Sequence, residues 1–229
     1  SHARQVAIDI VVTNDMTAAK WCVSQTQTTA PALGTSACNG GAGAANGWYT
    51  TRPPTFTLSV GDGLKTVYVW VANAANNVNV GPVTDSITLD KTLPAAPTVA
   101  LSDPNTNSIT DTNQATANLS ITADTDATAW CVFEQDAVAA PPAAPAYNDV
   151  CFVTTKPTTQ VLGATGSRKV YVYTKDIAAN VSTPASTATI NYSTTAPANP
   201  TLALTDGTTS SATHVRQLAT AAAITDTAA

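Results

Sequence analysis

A strand-and-turn segment that occurs twice constrains the fold of this chain more than any other feature. Residues 65–78 read KTVYVWVANAANNV, and residues 169–181 read KVYVYTKDIAANV. In each copy, side chains of high β propensity alternate along a strand, which then enters a turn rich in Ala and Asn. Two copies of one such unit predict tandem repeats, and repeats of this composition are typical of extracellular β-sandwiches.

The repeats extend over most of the chain. The Trp-Cys pair at 21–22 aligns with the pair at 130–131, and Lys65 aligns with Lys169. In this alignment the first repeat lacks an opening strand, the second is complete, and the third has only its two opening strands, at 202–205 and 217–224. The predicted units are residues 1–92, 93–195 and 196–229, and they are called the first, second and third repeat below.

The joints between these units contain pairs of prolines. Residues 90–98 read DKTLPAAPT, and residues 193–201 read STTAPANPT. Proline fixes φ and has no amide donor, so both linkers should be short and semi-rigid. A chain of 229 residues has room for two sandwich domains, since each needs about 100 residues. The predicted shape is therefore a rod.

Alternation along the strands assigns side chains to the two faces of each sheet. Trp21 and Val23, like their counterparts Trp130 and Val132, are expected in the core. Aromatic side chains on the opposite face are expected to be exposed. They are Tyr68 and Trp70 in the first repeat and Tyr171 and Tyr173 in the second. Exposed rings can stack on sugars, whereas a sheet face that simply has high β propensity is the alternative interpretation.

The four cysteines form one local pair in each of the first two repeats, at matching places. This placement predicts the disulfides Cys22–Cys38 and Cys131–Cys151 and an oxidising compartment. Cys22 and Cys131 alternate with the core residues. Each disulfide should therefore connect its strand to the following loop on the outer surface.

Composition argues against several chemistries. A zinc site would need CxxC-like spacing or histidine ligands, and His2 and His214 lie near the ends of the chain. With Glu134 as the only glutamate and no Gly-x-Ser-x-Gly motif, no catalytic constellation can be assembled. The net charge is −5 with scattered basic residues, which argues against nucleic acid. No apolar run approaches the ~20 residues needed to span a bilayer.

The strings VYVWVANAANNV and LDKTLPAAPTVALS, with their partners in the second repeat, resemble bacterial immunoglobulin-like domains. These domains are close to fibronectin type III and occur in tandem in long surface adhesins and exoproteins. Their usual consensus has an Asp-Ala-Ala-Gly-Asn-Val turn and ends with Asp-Thr-Thr-Ala-Pro. Asp176 keeps the first position of that turn, whereas Asn73 replaces it in the first repeat. The resemblance implies all-β, tandem immunoglobulin-like (fibronectin type III-like) β-sandwich domains at the cell surface.

Some domains of this type bind calcium at their junctions through aspartates. The candidates here are Asp90, Asp103, Asp124 and Asp126. Calcium takes about six to eight oxygen ligands, and repeated acidic residues in one loop are the expected pattern. The DTD at 124–126 is the only such pair, and Ser193 replaces the junction carboxylate of the second repeat. Capping of loops by aspartate is the alternative interpretation.

Two functions agree with these features. The first is a non-catalytic extracellular structural or adhesive repeat protein that forms a rod-like stalk or surface filament. The second is a glycan-binding module of a surface adhesin or exoenzyme. The incomplete ends also allow copies of the chain to complete one another head to tail by strand addition. The alternative for the ends is that these 229 residues are a window of a longer array.

Overall fold

The computed structural model describes residues 1–13, 15–33, 38, 47–122, 125–183, 185–206, 212 and 220–225. Within these ranges the chain forms strands, turns and loops without an α-helix, so the predicted all-β class is confirmed. In the same ranges no helix has the length and apolar character needed to cross a membrane.

The described part of the first repeat forms two facing sheets. Its strands are β1 His2–Ala3, β2 Ala7–Asp9, β3 Lys20–Ser24, β4 Thr55–Thr57, β5 Gly63–Ala72 and β6 Val83–Leu89. One sheet has the order β1-β6-β5-β3, and the other pairs β2 with β4. All pairs are antiparallel except β1 with β6, which is parallel.

The second repeat has the same arrangement with one additional strand. Its strands are β7 Thr98–Ser102, β8 Asp111–Thr112, β9 Thr116–Thr122, β10 Ala129–Asp136, β11 Thr159–Val161, β12 Gly166–Lys175 and β13 Ser186–Tyr192. The sheets have the orders β10-β12-β13-β8 and β11-β9-β7. Strand β8 pairs with β13 in parallel, as β1 does with β6. Strand β7 is the additional element, since it has no counterpart among the described strands of the first repeat.

The described part of the third repeat is a two-stranded sheet. Strands β14 Thr201–Asp206 and β15 Thr220–Thr225 pair antiparallel. Leu202 lies opposite Ile224, just as Val99 lies opposite Ile121 in the second repeat. The predicted second strand at 217–224 falls partly outside the described residues.

An apolar core lies between the facing sheets of each of the first two repeats. Val170, Val172 and Ile190 are almost completely buried in the second repeat, together with Trp130. Val23 is completely buried in the core of the first repeat. These core predictions are confirmed, with Val132 packed at the edge of the second core.

Trp21 was expected in the core, and that prediction is wrong. The side chain is half-exposed, and its Nε1 donates a hydrogen bond to Asp15 Oδ2 at 2.7 Å. Trp21 lies opposite Val71 near the end of the β3–β5 pair. An indole in this position can satisfy its donor with a nearby carboxylate, which a core position would not offer.

The alignment of Lys65 with Lys169 is wrong by one residue. The equivalent positions are fixed by residues with positive φ. They are Gly63 (122°) and Gly166 (128°) at the start of the long strand, and Asn76 (68°) and Ala179 (69°) in the turn after it. Lys169 therefore matches the residue after Lys65.

Candidate functional site

In each of the first two repeats, one disulfide holds a loop against the outer face of the long sheet. The two disulfides are Cys22–Cys38 and Cys131–Cys151, the pairs that the spacing predicts. The first cysteine of each pair lies opposite an aromatic side chain on the long strand, Trp70 in β5 and Tyr173 in β12. The disulfides are thus on the predicted face of the sheet, and each forms a cap over its aromatic rings.

The cap of the first repeat is a small second core. Trp70 is only 2% exposed and packs with the disulfide, Trp48 and Ala72. Its Nε1 donates a hydrogen bond to the carbonyl oxygen of Gln27 at 2.9 Å, so the polar atom of the ring is satisfied. Leu33 closes the cluster from the loop.

The cap of the second repeat is built from tyrosine and phenylalanine. Tyr171 and Tyr173 pack with the disulfide, and Phe133 meets Tyr173 edge to face with 6.2 Å between ring centroids. The Tyr173 hydroxyl donates to the carbonyl oxygen of Pro142 at 3.4 Å. Burial raises the pKa of Tyr173, so the ring is held in its neutral form.

The prediction that these aromatic side chains are exposed is therefore wrong for Trp70, Tyr171 and Tyr173. They are 2%, 4% and 5% exposed. Tyr68 is half-buried. Alternation along a strand assigns the face of a side chain, but it does not indicate whether a distant loop covers that face. Here the disulfides draw the loops across it.

Asp103 is a loop cap in the turn between β7 and β8. It is 2% exposed. Its Oδ1 accepts hydrogen bonds from the amides of Asn105 and Thr106, each at 2.8 Å, and Oδ2 accepts one from the Thr112 hydroxyl. The Thr112 hydroxyl first, and then the two amides, lower the pKa of Asp103 from an ordinary value of 3.8 to about 2. Both carboxylate oxygens are occupied by donors, as the capping interpretation requires.

The other calcium candidates do not converge on Asp103. Asp126 is exposed, Asp90 is half-buried with its Oδ1 accepting from the Thr92 amide at 3.1 Å, and Asp124 lies outside the described residues. No group of three or more His, Cys, Asp or Glu side chains is arranged for a metal ion in the part of the chain that the structure describes.

Glu134 forms an ion pair inside the second repeat. Its Oε1 accepts from Arg168 Nε at 2.6 Å, and both side chains are 11% exposed. The hydrogen bond to Glu134 raises the pKa of Arg168. The pair joins β10 to β12, so the only glutamate of the chain has a structural partner.

The joint between the first two repeats, residues 90–97, is held from both sides. On the first-repeat side, Asp62 accepts hydrogen bonds from the Lys91 amide at 3.0 Å and the Thr92 hydroxyl at 2.6 Å. These bonds, the hydroxyl first, lower the pKa of Asp62. On the second-repeat side, Asn180 Nδ2 donates to the carbonyl oxygen of Asp90 at 2.9 Å.

Asn180 is positioned for this contact by its own turn. Its backbone amide and Nδ2 donate to the two carboxylate oxygens of Asp176, each at 2.9 Å, and both residues are buried. The equivalent turn of the first repeat has Asn77 and Asn73, and Asn77 is exposed. The consensus turn noted in the sequence is therefore the element that contacts the joint.

A second contact connects the repeats beside the joint. The Arg4 guanidinium lies 3.8 Å from the centroid of the Tyr147 ring, which belongs to the disulfide-bonded loop of the second repeat. Lys175 Nζ donates to the carbonyl oxygen of Tyr147 at 3.0 Å. The Ser186 hydroxyl also donates to the carbonyl oxygen of Pro97. Sequence reasoning did not identify any of these contacts, because their partners are distant along the chain.

The sheets and cores define immunoglobulin-like β-sandwich modules. No protein-family model matches the sequence, and a search of curated proteins also gives no match. Among solved structures, the chain is similar to the fibronectin(III)-like modules of CbhA from Clostridium thermocellum. The TM-score is 0.43 at 13% identity, over 83% of this chain and 86% of that chain.

The disulfide of the second repeat should stabilise it by restricting the unfolded chain. The bond closes a segment with a sequence separation of 20, for which the chain-entropy model gives about 3 kcal/mol. We expect Cys131→Ala/Cys151→Ala to lower the free energy of unfolding by about this amount in urea titrations followed by circular dichroism. The intact mass of the native protein should increase by four hydrogens on reduction. A double variant as stable as the native protein would contradict the stabilising role of the cap.

Asp103 should make stability depend on pH in acid. Because its pKa is lowered on folding to about 2, its stabilising effect is complete above the unfolded value near 4 and is lost as the pH falls towards 2. Asp103→Asn should remove this part of the acid dependence, measured as the free energy of unfolding at a series of pH values. Asp126→Asn, at an exposed turn position, is the control and should keep the native profile. Identical profiles for native protein and Asp103→Asn would show that the turn does not have this role.

Trp70 should contribute to stability as a buried side chain. Removal of a large aromatic from a packed cluster costs about 3–5 kcal/mol, so Trp70→Ala should lower the midpoint of unfolding substantially. Tyr68→Ala, on the same strand face but half-exposed, should have a smaller effect. A Trp70→Ala protein with native stability would mean that the ring is exposed in solution, as a sugar platform would require.

Proposed function

We propose that this chain is a non-catalytic structural segment of an extracellular or cell-surface protein, in which immunoglobulin-like sandwiches are connected into a stiff stalk. The observation that supports this function best is the joint at residues 90–97. Pro94 and Pro97 are buried there, and hydrogen bonds reach the joint from both repeats. Domains joined by one chain usually move relative to each other unless their interface is substantial. A joint fixed from both sides resists such motion.

The contacts at the joint act on different degrees of freedom. Asp62 fixes the start of the linker on the first repeat, and Asn180 fixes the same segment on the second. The contact between Arg4 and Tyr147 lies on the bodies of the two repeats, away from the linker itself. One hydrogen bond contributes only about 0.5–1.5 kcal/mol, but bending of the stalk would break several of these contacts together.

The disulfide caps suit a protein that functions outside the cell. Disulfides persist in oxidising compartments, and the two here cover apolar clusters on the outer faces of the sheets. Each repeat therefore has two apolar layers across its long sheet. Units that are stabilised separately in this way keep their shape when a stalk is exposed to solvent along its whole length.

The glycan-binding alternative depended on exposed aromatic rings. Trp70, Tyr171 and Tyr173, three of the four rings on which it rested, are buried, and Tyr68 is half-buried. The ring of Tyr147 is 42% exposed, and Arg4 covers one of its faces. A structural role therefore explains more of the aromatic side chains than sugar recognition does.

The stiffness of the joint can be tested with Asn180→Ala. This variant loses the bonds from Nδ2 to Asp90 and Asp176. We expect small-angle X-ray scattering to give a broader distribution of interatomic distances and a changed maximum dimension, because the repeats are less firmly oriented.

Asn77→Ala is the matched control, because Asn77 has the same place in the exposed turn of the first repeat. This control should scatter like the native protein. A native chain that already scatters as two freely rotating bodies would refute the stiff stalk.

A further inference from the structure

The disulfide-bonded loop of the second repeat contacts the first repeat. This loop, residues 137–150, follows β10 and ends at Cys151, which is bonded to Cys131. We call it the second cap loop. The Arg4 guanidinium of the first repeat lies 3.8 Å from the centroid of its Tyr147 ring. Because Tyr147 is close to Cys151 in the sequence, this contact lies near the point at which the disulfide fixes the loop.

A compact turn connects Tyr147 to the disulfide. The Asp149 amide donates to the carbonyl oxygen of Ala146 at 2.9 Å, and the Cys151 amide donates to Asp149 Oδ1 at 2.9 Å. Both bonds lie within the turn, so they shape it without attaching it to the sheet. The disulfide attaches it covalently, because its partner Cys131 is a completely buried residue of β10.

Lys175 connects the second cap loop to the other contact at the joint. Its Nζ donates to the carbonyl oxygen of Tyr147 at 3.0 Å and lies 4.5 Å from the centroid of the Phe152 ring. The next residue in the chain is Asp176, whose carboxylate positions Asn180 at the joint. Two contacts between the repeats therefore depend on one end of β12, and the disulfide cap lies over that end.

The cap of the first repeat lies at the other end of its long strand. Strand β5 begins at Gly63, beside Asp62, which holds the joint. Cys22 lies opposite Trp70. At a rise of about 3.3 Å per residue, Trp70 is about 23 Å along the strand from Gly63. Ala72 has the place of Lys175 when the strands are aligned on their first glycines. The disulfide of this cap is therefore distant from the joint.

We propose that the Cys131–Cys151 disulfide is a redox-sensitive latch for the joint between the first two repeats. In the oxidised chain it holds Tyr147 in the position at which Arg4 contacts the ring, and the joint is stiff. When both cysteines are thiols, the second cap loop can leave the sheet, the contact with Arg4 is lost, and the repeats are less firmly oriented. This inference rests on the proposed stalk and adds a regulation to it.

The change of state is a thiol–disulfide exchange. The thiolate of a small thiol attacks the sulfur of Cys151, which is half-buried, whereas Cys131 is completely buried. The protein S–S bond breaks, a mixed disulfide forms on Cys151, and Cys131 leaves as a thiolate that takes up a proton. A second small thiol attacks the mixed disulfide and releases Cys151 as a thiol. Two small thiols are thus oxidised to their disulfide, and that small disulfide drives the reverse reaction.

The latch closes under the conditions in which the proposed stalk works. Thiols remain reduced in a reducing compartment and form disulfides in an oxidising one. A chain with free thiols has a loose joint between its first two repeats. Oxidation then closes the second cap loop and stiffens the same joint without any change of sequence or ligand.

The first test compares the two disulfides by small-angle X-ray scattering of the full chain. Cys131→Ala/Cys151→Ala should broaden the distribution of interatomic distances, because the repeats are less firmly oriented. Cys22→Ala/Cys38→Ala is the matched control and should keep the native distribution, with circular dichroism to verify that each variant is folded. Equal broadening by both pairs, or by neither, would overturn the latch.

Tyr147 gives a version of this test that keeps both disulfides. Its side chain is 42% exposed, so Tyr147→Ala should fold. We expect Tyr147→Ala to broaden the distance distribution, whereas Tyr147→Phe keeps a ring for Arg4 and should scatter like the native protein. A native distribution for Tyr147→Ala would show that the second cap loop does not orient the repeats.

The second test uses the reciprocity of coupled sites. If the disulfide strengthens the contact with Arg4, that contact must favour the disulfide by the same factor. In a glutathione redox buffer, Arg4→Ala should make Cys131–Cys151 easier to reduce by about two- to five-fold in equilibrium constant, as expected for an exposed cation–π contact. Alkylation and mass spectrometry measure each pair, and Cys22–Cys38 in the same molecule is the control. An unchanged equilibrium for Cys131–Cys151, or an equal shift of both pairs, would contradict the coupling.

The outcomes for the latch and for the stalk can be separated. A native chain with a stiff joint that stays stiff in Cys131→Ala/Cys151→Ala and in Tyr147→Ala refutes the latch and leaves the stalk. An oxidised native chain whose repeats rotate freely refutes the stalk, and the latch with it.

Discussion

The burial of one long strand on both of its faces is the constraint on which the rest of each repeat depends. In β12, Val172 faces the core and is fully buried, while the neighbouring Tyr173 faces the disulfide cap and is 5% exposed. In β5, Val67 and Trp70 have the same two roles. A strand covered on both faces keeps its register because a slip by one residue would exchange the two sets of side chains. The neighbouring strands, the cap and the turn to the joint are all positioned by it.

The sequence predicted this strand and the faces of its side chains but not their environment. Alternation separated the valines from Tyr68 and Trp70, and local spacing identified both disulfides. Burial of Trp70 by the cap depends on the path of a loop without a periodic pattern, so no local signal predicts it. Trp21 shows the opposite error. Alternation assigns it to the core face, but near the end of the sheet its side chain stays half-exposed and donates a hydrogen bond to Asp15.

The contacts at the joint were beyond sequence reasoning for a different reason. The turn at 176–181 carries part of the resemblance noted in the sequence, but the partner of Asn180 is a backbone carbonyl, which has no sequence signature. Arg4 and Tyr147 belong to different repeats and are brought together only by the relative orientation of the two repeats. The role of Asp103 is easier to predict from the sequence, since an aspartate followed by Pro-Asn-Thr is a typical turn cap.

The two copies of the turn differ in how firmly each holds the asparagine at its end. In the second repeat, Asn180 donates twice to the carboxylate of Asp176. In the first repeat, Asn73 replaces that carboxylate, and its Oδ1 accepts one bond, from the Asn77 amide at 3.0 Å. Hydrogen bonds to an ionised group are roughly twice as strong as neutral ones. Asn77 is therefore held less firmly than Asn180. The carboxylate of Asp176 thus orients the side chain that donates to the carbonyl oxygen of Asp90 at the joint.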